Sequence, residues 1–390
     1  MGLGPRTAGL ASNDRRGADR LRLVVATARY PPLVGGVELH VEEVCRRLAA
    51  RGTDVTVLTT DRKGNLPEIE QRDGVEIARL RAWPRHGDLY FSPGIYARIA
   101  QGDWDVLHVQ GAQTLVAPTA MLAAARVGLP YVVTFHTGGH SSRLRQALVP
   151  MQEATLRPLL ARAERLIELT ATQARERGRR LRLPSERFVV IPNGSDLPRP
   201  SADAAVGQPG LLGSIGRLER YKGHDRVIAA MPFVIRRRPD ARLWIAGSGP
   251  YEPALRRLID DLGLGDRVEI ESVPVRKRAR MADRLAQVHV IVSMSEYESH
   301  GIAVLEALGA GCRGVVAEAP GLSDLLEQDL ARGVPLDSSP EALAEVLLEE
   351  LEKPRLENPP RLPTWDDCAR DLAALYEDVF RSRRSESAAR

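Results

Sequence analysis

Two cations lie in one short loop of the sequence, Arg217 and Lys222 in the segment Gly-Arg-Leu-Glu-Arg-Tyr-Lys-Gly that spans 216–223. A strand pattern precedes this loop and a helix pattern begins near His224, so both cations lie beside the positive end of a helix dipole. Fixed cations at a helix N-terminus are typical of a diphosphate-binding site, whereas the alternative is a solvated basic loop. Only four of the 55 basic residues are lysines. A lysine at this position favours the phosphate interpretation, because a compact ammonium suits a point contact.

Two carboxylates stand eight residues apart in Glu-Ser-His-Gly-Ile-Ala-Val-Leu-Glu, at Glu298 and Glu306. On a continuous helix they would be separated by about 12 Å, at ~1.5 Å per residue. That separation exceeds the ~5–9.5 Å between the paired carboxyl groups of a glycoside hydrolase. The spacing therefore favours two hydrogen-bond acceptors that bind separate parts of one long ligand, a sugar and a ribose.

The residues that follow Glu298, namely His300, Gly301 and Ile302, are predicted to present backbone N–H groups to the same ligand. The alternative is a solvated loop acid followed by an acid on an exposed helix face. The helix around Glu306 is apolar, however, so a buried carboxylate at this position requires a partner.

Two features of the amino-terminal half also suggest ligand contacts. Gly35 and Gly36 open the first predicted helix, where glycine allows the backbone to approach a charged ligand closely; an ordinary turn is the alternative. His136 follows a predicted strand at its carboxyl end, the edge at which doubly wound sheets bind ligands. The alternative for His136 is a structural histidine.

Two other segments resemble a metal site and a dinucleotide-binding loop, but each lacks a feature that such a site requires. Asp103 and Asp105 resemble a metal-binding acidic triplet, but they precede a strand and fall at the wrong end of the sheet, so we predict no metal site. The segment Gly-Ser-Gly-Pro at 247–250 lacks the third glycine of a dinucleotide-binding loop, which argues against a nicotinamide cofactor.

Strand and helix patterns alternate through nearly the whole chain, which predicts an α/β fold with parallel sheets wrapped by helices. A segment rich in Pro, Gly, Ala and Asp at 195–210 interrupts the alternation and is predicted to be a linker. We therefore predict two Rossmann-like, doubly wound domains that face a central cleft. The predicted strands cover 21–28, 53–60, 106–109, 131–135, 166–169, 188–191, 211–215, 242–246, 268–270 and 288–292, and the predicted helices begin near 37, 224, 251 and 301.

A length of 390 residues agrees with two domains, since single cores usually stop growing near ~250–300 residues. The predicted organisation is listed by residue range: a disordered leader (1–20), an amino-terminal domain (21–195), a linker (196–210), a carboxyl-terminal domain (211–364), a final helix (365–380) and a disordered tail (381–390).

The composition excludes several classes of protein. There is no uncharged apolar run of ~18 residues, which argues against a transmembrane helix, and residues 1–20 lack the apolar stretch of a secretory signal. The three cysteines, Cys45, Cys312 and Cys368, are too far apart to indicate disulfides or a zinc site, so we predict a cytoplasmic protein. Aromatic residues are 4% of the chain, which argues against nucleic-acid binding by base stacking.

The loop at 216–223, the two glutamates eight residues apart and the segment Val-Ile-Pro-Asn-Gly-Ser-Asp at 190–196 occur in one order along the chain. In that order they resemble the retaining, GT-B-fold, nucleotide-sugar glycosyltransferases, a family that includes phosphatidylinositol mannosyltransferases and many polysaccharide and natural-product enzymes. The resemblance runs from about Leu21 to Phe380. It implies that residues 21–195 form the acceptor-side domain, that residues 211–364 form the nucleotide-sugar-binding domain, and that the helix at 365–380 crosses back to the first domain. It implies transfer of a hexosyl unit from a nucleotide-diphosphate sugar, used as co-substrate, without a metal ion or other cofactor.

Carried over position by position, the resemblance implies a role for each candidate residue. Arg217 and Lys222 would hold the donor diphosphate. Glu298 would bind hydroxyl groups of the donor sugar, and Glu306 would bind the ribose. Gly36, next to Gly35, would approach the diphosphate from the other domain, and His136 would lie near the reacting sugar and the acceptor. The resemblance thus implies His136, Arg217, Lys222 and Glu298 as catalytic residues.

The sequence departs from the family at three positions. His300 stands where the family usually has Phe, Arg313 where Pro is usual, and Gln110 replaces a frequent second histidine. Two alternatives to an active transferase stay open: a catalytically degenerate protein that binds nucleotide sugars, and a nicotinamide-dependent oxidoreductase. The alternatives for the donor nucleotide are UDP, GDP and TDP.

The stretch from Arg143 to Arg187 holds 11 Arg and 5 Glu, a local charge of +6 in a chain of net charge +4. Apolar residues alternate with arginines at its start, which predicts an amphipathic helix beside the acceptor cleft. Such a helix could contact an anionic membrane, with a lipid-linked acceptor at the inner face of the membrane. The alternative is an ordinary helix packed on the sheet, with a polysaccharide or small-molecule acceptor.

Overall fold

The computed structural model describes residues 20–388 except 34, 86–89, 113, 137–142, 205–206 and 275–276, and describes only the backbone of 143–150 and 386–388. The predicted leader therefore lies outside the described residues, apart from Arg20.

The first half of the chain forms an eight-stranded sheet with the order β3-β4-β2-β1-β5-β6-β7-β8. Neighbouring strands are parallel except β3 and β4, which are antiparallel. Its strands are β1 (Arg22–Thr27), β2 (Asp54–Asp61), β3 (Ile69–Arg72), β4 (Val75–Arg81), β5 (Val106–Gln110), β6 (Tyr131–Thr134), β7 (Arg165–Glu168) and β8 (Phe188–Val190), and its helices are α1 (Gly36–Ala50), α2 (Pro93–Gln101), α3 (Val116–Val127), α4 (Arg143–Leu160) and α5 (Ala171–Leu181).

The second half forms a six-stranded sheet with the order β11-β10-β9-β12-β13-β14, and all its neighbouring strands are parallel. Its strands are β9 (Leu211–Ile215), β10 (Arg242–Ala246), β11 (Val268–Glu271), β12 (Val290–Ser293), β13 (Arg313–Ala317) and β14 (Arg332–Val334), and its helices are α6 (His224–Arg237), α7 (Glu252–Asp261), α8 (Arg278–Gln287), α9 (Ile302–Gly309), α10 (Ser323–Glu327) and α11 (Pro340–Glu352).

Both faces of the first sheet are covered. Successive side chains of a strand point to opposite faces, and in β1 Leu23 and Val25 enter one apolar core while Val24 and Ala26 enter another. All four are buried, as expected for a parallel strand between two helix layers. The predicted α/β architecture with two parallel-sheet domains is confirmed.

The last helix, α12 (Trp365–Ala388), returns to the first half of the molecule. Its residues Trp365 and Tyr376 are buried in the same core as Val25 of β1. The predicted disordered tail is wrong for residues 381–388, because α12 continues through Ala388. Within the described part of the chain, every helix is too short or too polar to cross a membrane.

Candidate active site

Arg217, Lys222 and Glu298 lie on loops at the carboxyl ends of strands of the second sheet, whereas Glu306 lies in α9. Lys222 follows β9 and Glu298 follows β12, the strand that pairs with β9. Their side chains meet, with Lys222 Nζ 2.5 Å from Glu298 Oε1. Ser295 Oγ donates to the same carboxylate oxygen at 2.8 Å, so the Glu298 carboxylate is held by two donors.

Gly223 explains how Lys222 reaches this position. Its φ of 68° lies in the left-handed region, and a Cβ atom there would lie 2.1 Å from the carbonyl oxygen of Met294. A residue with a side chain would therefore push the loop away from the end of β12. Helix α6 begins at the next residue, which places its N-terminus beside the Lys222–Glu298 pair.

Arg217 lies in the same loop as Lys222 and remains 45% exposed. Its guanidinium donates to Tyr221 Oη at 3.0 Å and lies 2.9 Å from Glu219 Oε1. Tyr221 stacks on Tyr297, with ring centroids 4.5 Å apart and planes 4° from parallel. Sequence reasoning missed this aromatic pair, although each tyrosine directly precedes a predicted site residue, Lys222 or Glu298.

The Gly-Ser-Gly-Pro segment at 247–250 braces the cationic loop. Leu218 N donates to Ser248 O at 2.9 Å, and Tyr251 N donates to Leu218 O at 2.9 Å. A Cβ atom on Gly249 would lie 2.4 Å from the carbonyl oxygen of Leu218. The glycines are thus required by close contact between two protein loops, which accounts for them without a nicotinamide dinucleotide.

Glu306 is 4% exposed and lies in α9. The partner that its burial requires is Arg278, whose guanidinium donates to Glu306 Oε1. Burial raises the pKa of Glu306, while Arg278 acts in the opposite direction. Sequence reasoning missed Arg278, because no local pattern connects the start of α8 with the middle of α9.

The segment between the two glutamates turns sharply into α9. Gly301 has a φ of 59° and precedes the first residue of the helix, Ile302. Burial lowers the pKa of His300 to about 4, so its imidazole is neutral at pH 7. Among the described residues, His300 Nδ1 is buried without a hydrogen-bond partner.

The glycine pair of the first domain faces α9. Helix α1 begins at Gly36, and a Cβ atom on Gly36 would lie 3.8 Å from Ile302 Cδ1. The N-termini of α1 and α9 therefore approach each other across the cleft. Glu38, which sequence reasoning missed, folds over Gly35, since a Cβ atom on Gly35 would lie 2.3 Å from Glu38 Oε2.

His136 is 6% exposed at the carboxyl end of β6. Its Nε2 donates to Gln110 Oε1 at 2.6 Å, and the rings of His136 and His40 meet edge to face at 4.8 Å. Burial lowers the pKa of His136 well below its ordinary value, and His40 and His108 lower it further, so the ring is neutral. The unusual Gln110 is thus the residue that orients His136.

Gln110 continues into a buried network. Its Nε2 lies 3.2 Å from His108 Nδ1, which lies 2.5 Å from Tyr376 Oη on α12. His108 Nε2 lies 2.7 Å from Thr134 Oγ1. The last helix of the chain is therefore connected to the cleft histidine through side chains of β5.

The two aspartates at 103 and 105 have a structural role. Arg22 Nη2 donates to Asp105 Oδ1 at 3.0 Å, and the backbone N–H of Arg22 donates to Asp105 Oδ2 at 2.8 Å. Arg22 also forms an ion pair with Asp103. Across the residues that the structure describes, His, Cys, Asp and Glu side chains form no group of three that could hold a metal ion.

The basic stretch is described only in part, since the side chains of Arg143 and Arg145 lie outside the described residues. In the described part, Arg177 is buried between Glu153 and Glu168, and its guanidinium lies 4.0 Å from the centre of the Phe135 ring. Apolar residues of α4 divide between core and surface, with Leu156 and Leu160 buried and Met151 61% exposed. Membrane contact by this stretch stays a prediction.

Two family models match consecutive parts of the chain. The model described as Glycosyltransferase Family 4 matches residues 34–199, and the model described as Glycosyl transferases group 1 matches residues 201–361. A relative named D-inositol 3-phosphate glycosyltransferase, from Nocardiopsis dassonvillei, is 32% identical over 326 residues, which cover 74% of this chain and 75% of the relative. A GDP-mannose:cellobiosyl-diphosphopolyprenol alpha-mannosyltransferase from Xanthomonas oryzae is 27% identical over 310 residues, 77% of this chain and 79% of the relative.

Solved structures share the fold. A sucrose-phosphate synthase from Thermosynechococcus elongatus superposes with a TM-score of 0.73 at 20% identity, covering 93% of this chain and 100% of that one. Anabaena HepE, solved in complex with UDP and glucose, gives a TM-score of 0.65 at 17% identity, covering 95% of this chain and 100% of that one. These likenesses confirm the predicted GT-B fold.

Proposed function

Because the chain belongs to the family 4 glycosyltransferases of the GT-B fold, which transfer a sugar from a nucleotide donor, we propose that it is a retaining, metal-independent hexosyltransferase. The observation that carries this proposal is the contact between Lys222 and Glu298 at 2.5 Å, beside the N-terminus of α6. In a nucleotide-diphosphate sugar the diphosphate and the sugar are directly linked. A cation for the diphosphate and a carboxylate for the sugar must therefore lie side by side in the site, as Lys222 and Glu298 do.

The donor would lie along the carboxyl edge of the second sheet. Arg217, Lys222 and the N-terminus of α6 bind the diphosphate through charge and backbone N–H groups. Glu298 accepts hydrogen bonds from sugar hydroxyls, and Glu306, with one oxygen on Arg278, accepts from the ribose. Gly36 lets the N-terminus of α1 approach the diphosphate from the opposite side.

The reacting sugar would lie between the Glu298–Ile302 segment and His136. A neutral His136 can accept a hydrogen bond from a sugar hydroxyl without adding a positive charge next to a cationic transition state. The Nε2–H bond to Gln110 holds the ring in one orientation, so that its position does not change during the reaction.

The barrier to transfer lies in the departure of the nucleoside diphosphate and the growth of positive charge on the anomeric carbon. Arg217 and Lys222 stabilise the negative charge that develops on the leaving phosphate oxygen. The acceptor hydroxyl attacks from the face that the diphosphate leaves, and the departing phosphate oxygen takes its proton. The configuration at the anomeric carbon is thereby retained. Arg217 and Lys222 neutralise the negative charge of the diphosphate, in place of a metal ion.

The relatives suggest alternative donors and acceptors for this chain. The named relatives act on D-inositol 3-phosphate or on a polyprenol-linked glycan, and one of them uses GDP-mannose, whereas a structural neighbour was solved with UDP. A thermal-shift screen of UDP-, GDP- and TDP-sugars identifies the nucleotide, since a ligand present at 100 times its Kd stabilises the folded state by about 2.7 kcal/mol.

A turnover assay with the donor identified by the screen separates an active transferase from a degenerate binding protein. The active enzyme is expected to release nucleoside diphosphate from the donor that raises its melting temperature. A donor that stabilises the protein but is never consumed, with any acceptor tested, would contradict the transferase proposal and favour the binding protein.

A further inference from the structure

Two hydrogen bonds join the domains at the residue that follows Glu298. Ser299 Oγ donates to the backbone carbonyl of His136, and Gln173 Nε2 donates to the backbone carbonyl of Ser299 at 2.6 Å. His136 and Gln173 belong to the first domain, whereas Ser299 belongs to the second. One residue of the second domain is therefore held through both its side chain and its main chain by the first.

The backbone of Gln173 is held in place by contacts within the first domain. It lies in the first turn of α5, where its backbone N–H donates to Thr170 Oγ1, the cap of that helix, at 3.2 Å. Because the cap fixes the start of α5, the Gln173 side chain extends from a fixed backbone toward the second domain. The amide reaches a carbonyl rather than a charged group, so its bond is individually weak and can break and re-form.

The Glu298–Ser299 segment is fixed equally well from the second domain. Glu298 N donates to Pro320 O at 2.9 Å, and a Cβ atom on Gly321 would lie 1.8 Å from the carbonyl oxygen of Glu298. The segment therefore cannot move toward the loop that follows β13. The two interdomain hydrogen bonds restrain it on the opposite side.

The Gln173–Ser299 contact borders an open cavity. The cavity, of about 450 Å³, lies between α5 and the loop that follows β13, and Gln173 lines it. Thr172, also in α5, donates from its Oγ1 to Asp324 Oδ1 of α10 at 2.9 Å, which is a second point of contact between the domains. Ile302 of α9 also packs against the apolar core of the first domain, so the domains are joined by apolar contact as well as by these hydrogen bonds.

We propose that Gln173 and Ser299 are positioning residues that couple closure of the domains to the placement of Glu298 beside His136. This inference rests on the proposed function, in which Glu298 and His136 bind the donor sugar from opposite domains. When the domains close, Ser299 bonds to the His136 backbone and Gln173 bonds to Ser299, so the sugar-binding carboxylate is placed at a fixed position relative to the histidine. The diphosphate contacts of Arg217 and Lys222 are within the second domain and do not depend on this coupling.

The kinetic test compares Gln173→Ala, Ser299→Ala and Ser299→Thr with Thr172→Val as matched control. The alanine variants are expected to lower kcat at least about tenfold and to change the donor KM less than twofold, because a misplaced reacting group costs rate more than binding. Ser299→Thr keeps the hydroxyl and is expected to retain most of the activity. Thr172→Val removes a hydrogen bond between the domains away from Glu298 and is expected to stay within twofold of the wild type.

The double variant Gln173→Ala/Ser299→Ala is expected to be no slower than the slower single variant, since both bonds act on one segment. The proposal is overturned if both alanine variants keep kcat within twofold, or if Ser299→Thr is as impaired as Ser299→Ala.

A distance measurement tests the same contacts without catalysis. With one spin label in each domain, double electron–electron resonance measures the distribution of distances between the domains. The distribution is expected to be wider in the two alanine variants than in the wild type. Gln152→Ala serves as control, because Gln152 makes the same kind of amide-to-carbonyl bond within the first domain, to Ala112 O at 2.8 Å. Unchanged distributions in both alanine variants would overturn the proposal. If the wild type turned over no donor, the proposed function would fail, and the distance distributions would still decide whether the contacts govern closure.

Discussion

At the scale of single residues, the site depends on side chains that are remote in sequence and adjacent in space. Lys222 and Glu298 belong to loops after different strands, yet their charged atoms lie 2.5 Å apart. The glycine at 223 makes this possible, because its neighbour is the Met294 carbonyl at the end of β12. The charges that would bind a diphosphate and a sugar are therefore positioned by the backbone of the second sheet.

Substitution of either cation by alanine is expected to slow the sugar-transfer step about a hundredfold. Each cation would stabilise the leaving diphosphate, and the loss of one preorganised donor typically costs ~2.7–4 kcal/mol of transition-state stabilisation. Single-turnover rates of Lys222→Ala and Arg217→Ala at saturating donor measure the effect. Lys353→Ala is a matched control, since Lys353 pairs with Glu350 on α11. Rates within threefold of the wild type in both site variants would contradict the assignment.

Replacement of Glu298 and of Glu306 by glutamine is expected to change different kinetic constants. Glu298→Gln should mainly lower kcat, since the proposed sugar contact lies next to the anomeric carbon. Glu306→Gln should mainly raise the donor KM, because a ribose contact that is equal in ground and transition states contributes uniform binding. Steady-state kinetics with the donor identified by thermal shift distinguish the two. Unchanged turnover at saturation in Glu298→Gln would show that this carboxylate does not act at the reacting sugar.

At the scale of helices and strands, glycines at the carboxyl ends of the second sheet determine how closely loops approach. Gly223→Ala is expected to reduce the free energy of unfolding by about 2 kcal/mol more than Gly128→Ala. Both glycines have positive φ, 68° and 73°, so both substitutions incur the same backbone strain of roughly 1–2 kcal/mol. A Cβ atom at Gly128 would have nothing within 4 Å, whereas one at Gly223 would clash with the Met294 carbonyl.

Urea unfolding of the two glycine variants measures this difference. Gly223→Ala is also expected to lose donor-induced stabilisation, because the clash would displace Lys222. Equal free energies of unfolding in the two variants would show that the loop can relax around the added methyl group.

Strand β1 was predictable from its continuous apolar sequence, whereas β4, which contains a buried charge, was not predicted. The run at 21–28 predicted β1 closely, whereas β4 was not predicted, because it includes Arg79, which is 5% exposed and pairs with Glu70 of β3. The predicted strand at 288–292 begins two residues later than expected, since α8 extends to Gln287.

The same limit applies to the site. Arg217, Lys222, Glu298 and Glu306 could be singled out from residue type and spacing in their own loops. Arg278, which pairs with Glu306, could not, because that contact depends on the packing of α8 against α9.

At the scale of the whole molecule, the last helix, α12, follows the second domain in the chain and packs against the first domain. Trp365 lies against Gly194, where a Cβ atom would be 2.2 Å from Trp365 N, and Asp196 accepts a hydrogen bond from the same N–H at 2.5 Å. Tyr376 of this helix ends the buried network that begins at His136. Because His108 and His136 of this network are buried and neutral, we expect the free energy of unfolding to depend on pH.

The free energy of unfolding is expected to decrease as the pH falls from 6.5 toward 4. Burial lowers the pKa of His40, His224 and His300 to about 4, lowers that of His108 to about 3, and lowers that of His136 well below its ordinary value. Below pH 6.5 the unfolded chain protonates these histidines while the folded chain does not, so each contributes a loss of up to about 1.4 kcal/mol per pH unit.

Two buried carboxyl groups act in the opposite direction. Burial raises the pKa of Glu168 to about 7 and also raises that of Glu306, so the folded chain takes up protons there first and gains stability as the pH falls. Since the five histidines outnumber these two groups, the net effect is a loss. Urea unfolding at pH 7.5 and 5.5 measures it, and equal or greater stability at pH 5.5 would contradict the description of the histidines as neutral and buried.

The most direct test of the central claim is the anomeric configuration of the sugar that the enzyme releases. The donor that stabilises the protein is incubated with enzyme and excess EDTA, with water as the acceptor, and proton NMR spectra are recorded before the free sugar mutarotates. Retention without a metal ion predicts that an α-linked donor first yields the α-anomer, at an unchanged rate in EDTA. First appearance of the β-anomer, or loss of activity in EDTA that Mg²⁺ restores, would contradict the account.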